Sequence, residues 1–337
     1  GRGKTVQVYE DSSQSSSTVA GGIYNPVILK RFTLAWNAGE QLEISIPFYR
    51  KLEKKLGVQL IFELPVYRKF NSVEEQNNWF TAMDKPGLSR FLDPKLETSV
   101  NDCIPSRFSF GKVRSTGRVD TAVLLESYRK FLISIDSLVS ESFVHSKLDI
   151  REDHVDYNGE KAKNIVFCEG FGIKDNPLFN FLPFHGNKGE YLIVKAKDLQ
   201  LKEAVKSSVF ILPQGNNIYK IGATYDNVDK TRDHTQKARE TLLSQLKKMI
   251  TMCQLTGCLQ RQSGNMQHVV VWNLQLIRGE VRMQKMTADV LWPTSSLCGE
   301  IMLQIRLCTP WKQKLTSPMI TIFKNGLLYT SDAGVDM

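Results

Sequence analysis

Apolar residues recur at intervals of three and four residues in several stretches, which is the period of an amphipathic helix. The first stretch covers residues 39–57, where Gly57 suits the C-terminal cap. Pro47 inside this stretch predicts either a kink or a later start of the helix. Residues placed to cap further helices at their N-termini are Ser72, Asp120 and Thr235.

Strand patterns separate these predicted helices. Residues 86–118 are rich in proline and glycine and are expected to be mostly loop, with a strand near residues 108–113. Asn158-Gly159 is typical of a type I′ hairpin turn. The other alternating or short buried apolar runs predicted as strands are residues 58–64, 164–170, 186–192, 209–213 and 219–225.

The stretch from residue 3 to residue 10 has the sequence GKTVQVYE, which predicts a tight turn and then a short buried strand that ends at Glu10. In dinucleotide-binding units the acidic residue after the second strand accepts hydrogen bonds from ribose hydroxyls. Asp11 lies beside it, and residues 12–22 are rich in serine and glycine, which let backbone N–H groups approach phosphate. An ordinary strand with a solvated acidic end is the alternative interpretation.

The order of strand, acidic residue, Ser/Thr-rich loop, glycine pair and the apolar segment around Asn25-Pro26 resembles the FAD-dependent oxidoreductases of the D-amino-acid oxidase family. Residues 209–213 and 219–225 resemble a strand pair of the same family, and the likeness covers roughly residues 1–250. The resemblance implies an α/β fold in which a Rossmann-like FAD-binding domain carries an inserted substrate domain with a mixed or antiparallel sheet.

The resemblance also implies a division into domains. Residues 1–36 and 110–180 are expected to form a discontinuous FAD-binding domain, and residues 37–109 and 181–250 the substrate domain. Residues 251–337 fit neither, because they hold four of the six cysteines and few carboxylates. A replaced exon, a frame error in the gene and a different domain are three explanations that the sequence leaves open.

The cofactor implied by the resemblance is FAD. The residues implied to contact it are Glu10, Asp11, Ser17, Thr18, Gly21, Gly22 and Gly170. The residues implied to contact an anionic substrate are Arg31, His185 and Lys188, with Arg118 as a further candidate. Ordinary surface charges are the alternative interpretation for each of them. No catalytic acid or base is assigned, because the flavin carries the hydride.

Two motifs of the family do not occur in the sequence. One is the glycine-rich turn GxGxxG, whose helix N-terminus holds the pyrophosphate, and the other is a C-terminal GxRP segment. The sequence is therefore expected to begin just downstream of the first motif, as a fragment or a trimmed chain. It begins at Gly1 without the pattern of a signal peptide.

The composition of the chain limits the kinds of molecule that it is expected to bind. The chain has 337 residues, of which 42% are hydrophobic and 23% charged, as in soluble globular proteins. A net charge of +9 favours anionic partners such as a phosphate-bearing cofactor, but the absence of a dense Lys/Arg block argues against nucleic acid. No apolar run approaches the length of a membrane span. Six cysteines without a CxxC pair or metal spacing predict no metal site and a cytoplasmic location.

The resemblance implies oxidation of a C–N bond of an amine or amino acid by hydride transfer to the flavin. Two alternatives stay open. The chain is a truncated or mis-framed family member that binds no cofactor, or it is a related flavin oxidase that acts on a modified tRNA uridine. The last alternative requires an RNA-binding surface of basic and aromatic residues. The sequence shows no pattern that predicts such a surface.

Overall fold

The computed structural model describes residues 4–13 and 16–250, together with the backbone of residues 267–276 and 319–323. The helices in these parts of the chain are α1 Ser16–Val19, α2 Ala38–Leu56, α3 Val73–Met83, α4 Thr121–Ser134 and α5 Gln236–Lys247, with short 3-10 helices at His145–Lys147 and Gly170–Asp175. The strands are β1 Val6–Tyr9, β2 Ile23–Tyr24, β3 Val27–Ile28, β4 Thr33–Leu34, β5 Ile61–Glu63, β6 Val66–Lys69, β7 Leu92–Glu97, β8 Phe110–Val113, β9 Gly117–Val119, β10 Leu138–Val139, β11 Leu148–Ile150, β12 Val155–Tyr157, β13 Glu160–Ala162, β14 Asn164–Cys168, β15 Phe184–Lys195, β16 Ala204–Lys206, β17 Phe210–Gly215, β18 Ile218–Gly222, β19 Gln267–Leu276 and β20 Met319–Phe323.

The predicted N-terminal strand, β1, lies inside a four-stranded sheet with the order β10-β1-β20-β14. All its neighbouring pairs are parallel. Val8 and Cys168 pack with Leu132 of α4, so one face of the sheet is covered by that helix. Cys168 is buried there. The residues that the sequence left unplaced supply β20, which lies between β1 and β14.

The larger sheet has eight strands in the order β19-β15-β18-β17-β16-β6-β8-β7. Its pairs are antiparallel except for β6 with β16. Leu242 and Leu246 of α5 pack on one apolar face, and Trp79 of α3 packs on the other. The mixed α/β fold that the sequence predicted is therefore confirmed. The division into domain ranges stays a prediction.

The predicted caps are confirmed in the structure. Ser72 accepts a hydrogen bond from the N–H of Glu75, and Asp120 and Thr235 cap α4 and α5 in the same way. Gly57 takes a left-handed conformation with φ 67° and donates its N–H to the Glu53 carbonyl. α2 starts at Ala38 and contains Pro47, so of the two alternatives, a kink or a later start, the later start is wrong.

Asn158 and Gly159 join β12 to β13 with positive φ at both positions, as a type I′ turn requires. In contrast, β7 and β9 lie in a stretch that was expected to be mostly loop. β7 contains Pro94, which sheets tolerate at an edge strand or a bulge. β7 is an edge strand, and its register with β8 shifts between Leu92 and Leu96, so both conditions hold.

The side chains around Gly111 of β8 leave no space for a larger residue at this position. A Cβ atom there would lie 2.7 Å from Phe70 and 2.7 Å from Trp79, and both of these rings are buried. We expect Gly111→Ala to lower the free energy of unfolding by about 1–3 kcal/mol through overpacking. Gly39→Ala is the control, since a Cβ in that first turn of α2 meets only the flexible end of Arg90. Chemical denaturation of both variants checks this, and equal stability of the two would contradict it.

Candidate functional site

The four-stranded sheet runs in one direction, so the carboxyl ends of its strands meet at one edge. Ligands of open α/β sheets bind outside this edge. Glu10 follows β1, Ser140 follows β10, and Glu169 and Gly170 follow β14. The structure therefore places the predicted cofactor contacts Glu10 and Gly170 at the same edge.

Glu10 is held at this edge by two described partners. Its side chain is largely buried, with a residue exposure of 8%. One carboxylate oxygen accepts the N–H of Ser12 at 2.7 Å. The other oxygen forms an ion pair with Arg129 of α4, and a second nitrogen of Arg129 donates to the hydroxyl of Ser140 at 3.0 Å. Arg129 thus joins the ends of β1 and β10 through a single guanidinium.

Asp11 has a different role from its neighbour. Its Oδ1 accepts the N–H of Ser13 at 2.9 Å, which closes a local turn. Its Oδ2 accepts the hydroxyl of Ser142 at 2.8 Å. Asp11 therefore fixes the turn that follows Glu10 to the segment after β10.

The geometry of Glu10 fits the ribose end of FAD. An ionised carboxylate offers about four acceptor positions, and the two partners found among the described residues, the Ser12 N–H and Arg129, leave part of that capacity unused. Vicinal ribose hydroxyls are donors of the right kind for such a group. Because Glu10 is buried, hydrogen bonds from such hydroxyls would be stronger there than in water.

The serine- and glycine-rich stretch of residues 12–22 contains α1, and residues 20–22 join this helix to β2. Ser17 is buried in α1, Thr18 is exposed, and Gly21 and Gly22 are buried. A Cβ on Gly22 would lie 2.0 Å from the carbonyl oxygen of Val119, and its φ is +68°. The Gly22 carbonyl accepts the N–H of Val119 at 2.8 Å. Gly22 is therefore required for close approach to β9, whether or not a phosphate or a flavin also lies against it.

Glu169 was not singled out by the sequence, although its side chain is fully buried. Nε2 of His145 lies 2.7 Å from Oε1, and the Asn176 amide donates to Oε2 at 2.6 Å. An ionised carboxylate can only accept, so a hydrogen bond to it requires the proton on Nε2 of His145. The next residue, Gly170, has a φ of 53°. The Glu169 cluster thus fixes the turn that carries Gly170.

The predicted substrate contacts lie in two separate places. Arg31 is exposed in the turn between β3 and β4. His185 is exposed on β15, and Lys188 lies three residues later on the same strand. Residues three apart on a strand point to opposite faces, so His185 and Lys188 do not converge. Arg118 is paired with Asp120 at 3.2 Å.

Lys188 has a residue exposure of only 1%. Its ammonium donates to Asp229 at 2.5 Å, to the Thr231 hydroxyl at 3.3 Å and to the Asp233 carbonyl at 2.6 Å. The hydrogen bond from Lys188 is the main cause that lowers the pKa of Asp229 to about 2. Three N–H donors with three partners leave Lys188 no further donor, so it holds residues 226–235 against β15.

A cleft of about 720 Å³ lies beside Tyr24, two residues after Gly22. Its remaining lining residues are Leu42, Glu43, Ile46, Pro47, Glu63, Leu64, Pro65, Arg90, Lys112, Val113, Arg114, Ser115 and Thr116. Arg90 pairs with Glu43 at 3.5 Å, and Arg114 pairs with Asp93 at 3.3 Å. The charges of both arginines are therefore balanced by acids, and the other charged residues of the lining are Lys112 and Glu63.

None of the helices in the described residues is both long enough and apolar enough to cross a membrane. Within the same residues, no three His, Cys, Asp or Glu side chains come together in a way that could hold a metal ion.

Sequence reasoning missed Arg129, His145, Glu169 and Asn176. For Glu169 a signal existed, because a carboxylate directly after a buried apolar run and before glycine has to be solvated or paired. For Arg129 no local signal exists, since its position on α4 has the charge pattern of an ordinary exposed helix face. Its partner Glu10 lies more than a hundred residues away in the sequence.

A family model described as FAD dependent oxidoreductase matches residues 1–276. The match extends past residue 250, where the resemblance was expected to end, and it includes β19. Glycine oxidase from Geobacillus kaustophilus has the same fold, with a TM-score of 0.64 and 15% identity over 83% of this chain and 80% of that chain.

Two other solved structures share the fold. L-α-glycerophosphate oxidase from Mycoplasma pneumoniae, solved with FAD bound, has a TM-score of 0.60 and 13% identity over 81% of this chain and 83% of that chain. L-proline dehydrogenase from P. horikoshii has a TM-score of 0.59 and 10% identity over 85% of this chain and 86% of that chain. At these identities the likeness shows the fold alone.

The family assignment rests on the family model, which covers most of the chain. FAD is the cofactor of that family, and the residues at the carboxyl edge of the parallel sheet fit its ribose end. The predicted family and cofactor are thereby confirmed. The chain belongs to the DAO family of FAD-dependent oxidoreductases.

Proposed function

We propose that this chain is a flavin-dependent oxidase or dehydrogenase that oxidises a C–N bond of an amine or amino acid. Glycine oxidase and L-proline dehydrogenase, which share its fold, are named for amino-acid substrates. The glycerophosphate oxidase is named for a phosphate ester, which has no C–N bond. The same fold therefore occurs with substrates that contain a C–N bond and with substrates that do not. The choice of a C–N bond is therefore part of the proposal.

The observation that carries the proposal is the placement of Glu10. A buried carboxylate at the carboxyl end of a parallel strand, with acceptor capacity left over, is suited to ribose hydroxyls. Arg129 holds this carboxylate at a defined position, since it also binds Ser140. A solvated acid at a strand end would have neither the burial nor the fixed partners.

When bound, FAD supplies the two-electron acceptor for the reaction. Oxidation of the C–N bond to C=N would remove a hydride from carbon and a proton from nitrogen, and the hydride would pass to the bound flavin. The chain holds the adenosine end through Glu10, while the loop of residues 19–22 and the turn at Gly170 shape the rest of the cradle. No side chain is required to carry the electrons.

For the substrate, we propose Arg31 and His185 as candidate contacts because both side chains are exposed. An arginine suits a carboxylate, since its planar group can donate two parallel hydrogen bonds. Lys188 is enclosed by Asp229, Thr231 and Asp233, so its role would be to position residues 226–235.

Visible absorption of the purified chain tests the proposal directly. We expect a flavin band that stays with the protein after gel filtration, either as isolated or after incubation with FAD. Under anaerobic conditions, glycine, proline and N-methyl amino acids should bleach this band, whereas glycerol 3-phosphate should not. Absence of a band at excess FAD would support the alternative of a family member without cofactor, and bleaching by glycerol 3-phosphate alone would replace the C–N assignment.

Glu10→Gln should weaken FAD binding about ten- to a hundredfold, because hydrogen bonds to a charged acceptor are worth about 1.5–3 kcal/mol. The same variant should bind FMN as the unmodified chain does, since FMN lacks the adenosine ribose. Fluorescence titration with both flavins measures the two dissociation constants. An equal loss for FMN and FAD would show that Glu10 acts on the fold rather than on the ribose.

Arg129→Met should weaken FAD binding roughly three- to tenfold, because Glu10 loses the partner that fixes its carboxylate. Arg129→Lys should recover part of this loss, since it keeps a cation on α4. Lys130→Met is the matched control, because the ion pair that the described residues give Lys130 is with the exposed Glu126 on the same helix. Comparable FAD dissociation constants for the Arg129→Met and Lys130→Met variants would remove Arg129 from the site.

A further inference from the structure

Lys220 stands in an unusual place for a charged side chain. It lies on β18, between β15 and β17 in the large sheet, and its neighbours across the strands are Ile193 and Leu212. Its residue exposure is 7%. A charge on an apolar sheet face is costly unless other groups replace its hydrogen bonds to water. The position therefore calls for a specific reason.

The partners of Lys220 lie in residues 19–22, the segment that we propose contacts the cofactor and call the cofactor loop. Its ammonium donates to the carbonyl oxygen of Val19 at 2.8 Å and to that of Ala20 at 3.0 Å. These carbonyls stand at the C-terminal end of α1, where a helix leaves its last carbonyls without internal partners. The two residues that follow are Gly21 and Gly22. Lys220 thus ties the large sheet to the backbone just before the glycine pair.

The loop is fastened from a second side by β9. The Gly22 carbonyl accepts the N–H of Val119 at 2.8 Å, and no side chain would fit at Gly22. Residues 19–22 are therefore held by a backbone bond at one end and by the Lys220 ammonium at the other. Removing the Lys220 ammonium would take away one of these two contacts and leave the backbone bond to β9 in place.

The groups around Lys220 do not fully compensate its charge. Burial is the main cause that lowers the pKa of Lys220 to about 8, and Arg118 lowers it further, while Asp120 acts in the opposite direction. The Tyr191 ring of β15 lies 5.6 Å from its ammonium. Because the folded pKa lies below the ordinary value of 10.5, the unfolded chain binds more protons between these pH values. Stability from this group therefore rises with pH there, and charged Lys220 lowers stability at neutral pH.

We propose that Lys220 is a positioning residue for the cofactor: its charged ammonium holds the backbone of residues 19–22 in the conformation that contacts FAD. This inference rests on the proposed function, in which that loop is part of the cofactor cradle. The proposal predicts that stability and FAD binding change in opposite directions, although a mutation in a binding site normally lowers both. Loss of the charge should relieve the chain of a buried cation and at the same time loosen the cofactor loop.

Lys220→Met tests the inference because it keeps the length of the side chain and removes the charge. Lys206→Met is the matched control. Lys206 lies on β16 of the same sheet, burial likewise lowers its pKa to about 8, and its neighbours are Arg68 and the Phe210 ring rather than the loop. Lys220→Gln, which keeps a neutral donor, is the second variant in case Lys220→Met does not fold.

Three measurements are made on each variant: the melting temperature without cofactor, the FAD dissociation constant from pH 7 to pH 9, and amide hydrogen exchange of residues 16–24 without cofactor. For Lys220→Met we expect an equal or higher melting temperature, faster exchange, and FAD binding that is about tenfold weaker at pH 7. FAD binding of the unmodified chain should weaken as the pH rises through about 8, and that of Lys220→Met should not.

For Lys206→Met we expect exchange and FAD affinity like those of the unmodified chain. The proposal is overturned if Lys220→Met and Lys206→Met give the same FAD affinity and the same exchange. If the unmodified chain binds no FAD, the proposed function fails, and the exchange result then decides alone whether Lys220 holds the loop.

Discussion

A charged side chain leaves water only where other groups replace its hydrogen bonds, and this constraint decides how the segments around the site meet. Glu169 binds His145 and Asn176 and so holds both residues at the end of β14. Lys188 draws residues 226–235 to β15, and Lys220 joins β18 to α1. The apolar faces supply most of the driving force for folding. The buried charges select which loops lie against which strand ends.

Features that depend on a few neighbouring residues could be predicted from the sequence. Gly57 ends α2 because a left-handed cap needs only the preceding helix and a residue without a Cβ. Asn158 and Gly159 make a turn because both tolerate positive φ. The strand before Glu10 was recognisable for a similar reason, since its apolar alternation, the acid and the small-residue loop are contiguous. The resemblance to the family followed from that contiguity, and the family model then showed the assignment.

Features that depend on distant partners could not be predicted in this way. β7 and β9 form strands because β8 and β5 pair with them, although Pro94 and Gly117 disfavour strands locally. Arg129 belongs to the site only because α4 packs beside the end of β1, which no local pattern announces. Gly22 was singled out for phosphate approach, yet its contact with Val119 already excludes any side chain. A glycine in a binding motif can thus have a packing reason that the motif does not reveal.

Lys188 and Lys220 show how the same side chain in the same sheet can have opposite electrostatic balances. Lys188 faces the carboxylate of Asp229, whose pKa falls to about 2 because the ammonium stabilises its charge. Lys220 faces neutral carbonyls, and burial, with a smaller effect of Arg118, lowers its own pKa to about 8. A residue that served only to stabilise the sheet would be better replaced by an apolar one at that position. A buried charge that its neighbours balance only in part is therefore expected where its contact holds a functional conformation. Lys220 makes such a contact, because it binds the backbone just before the glycine pair.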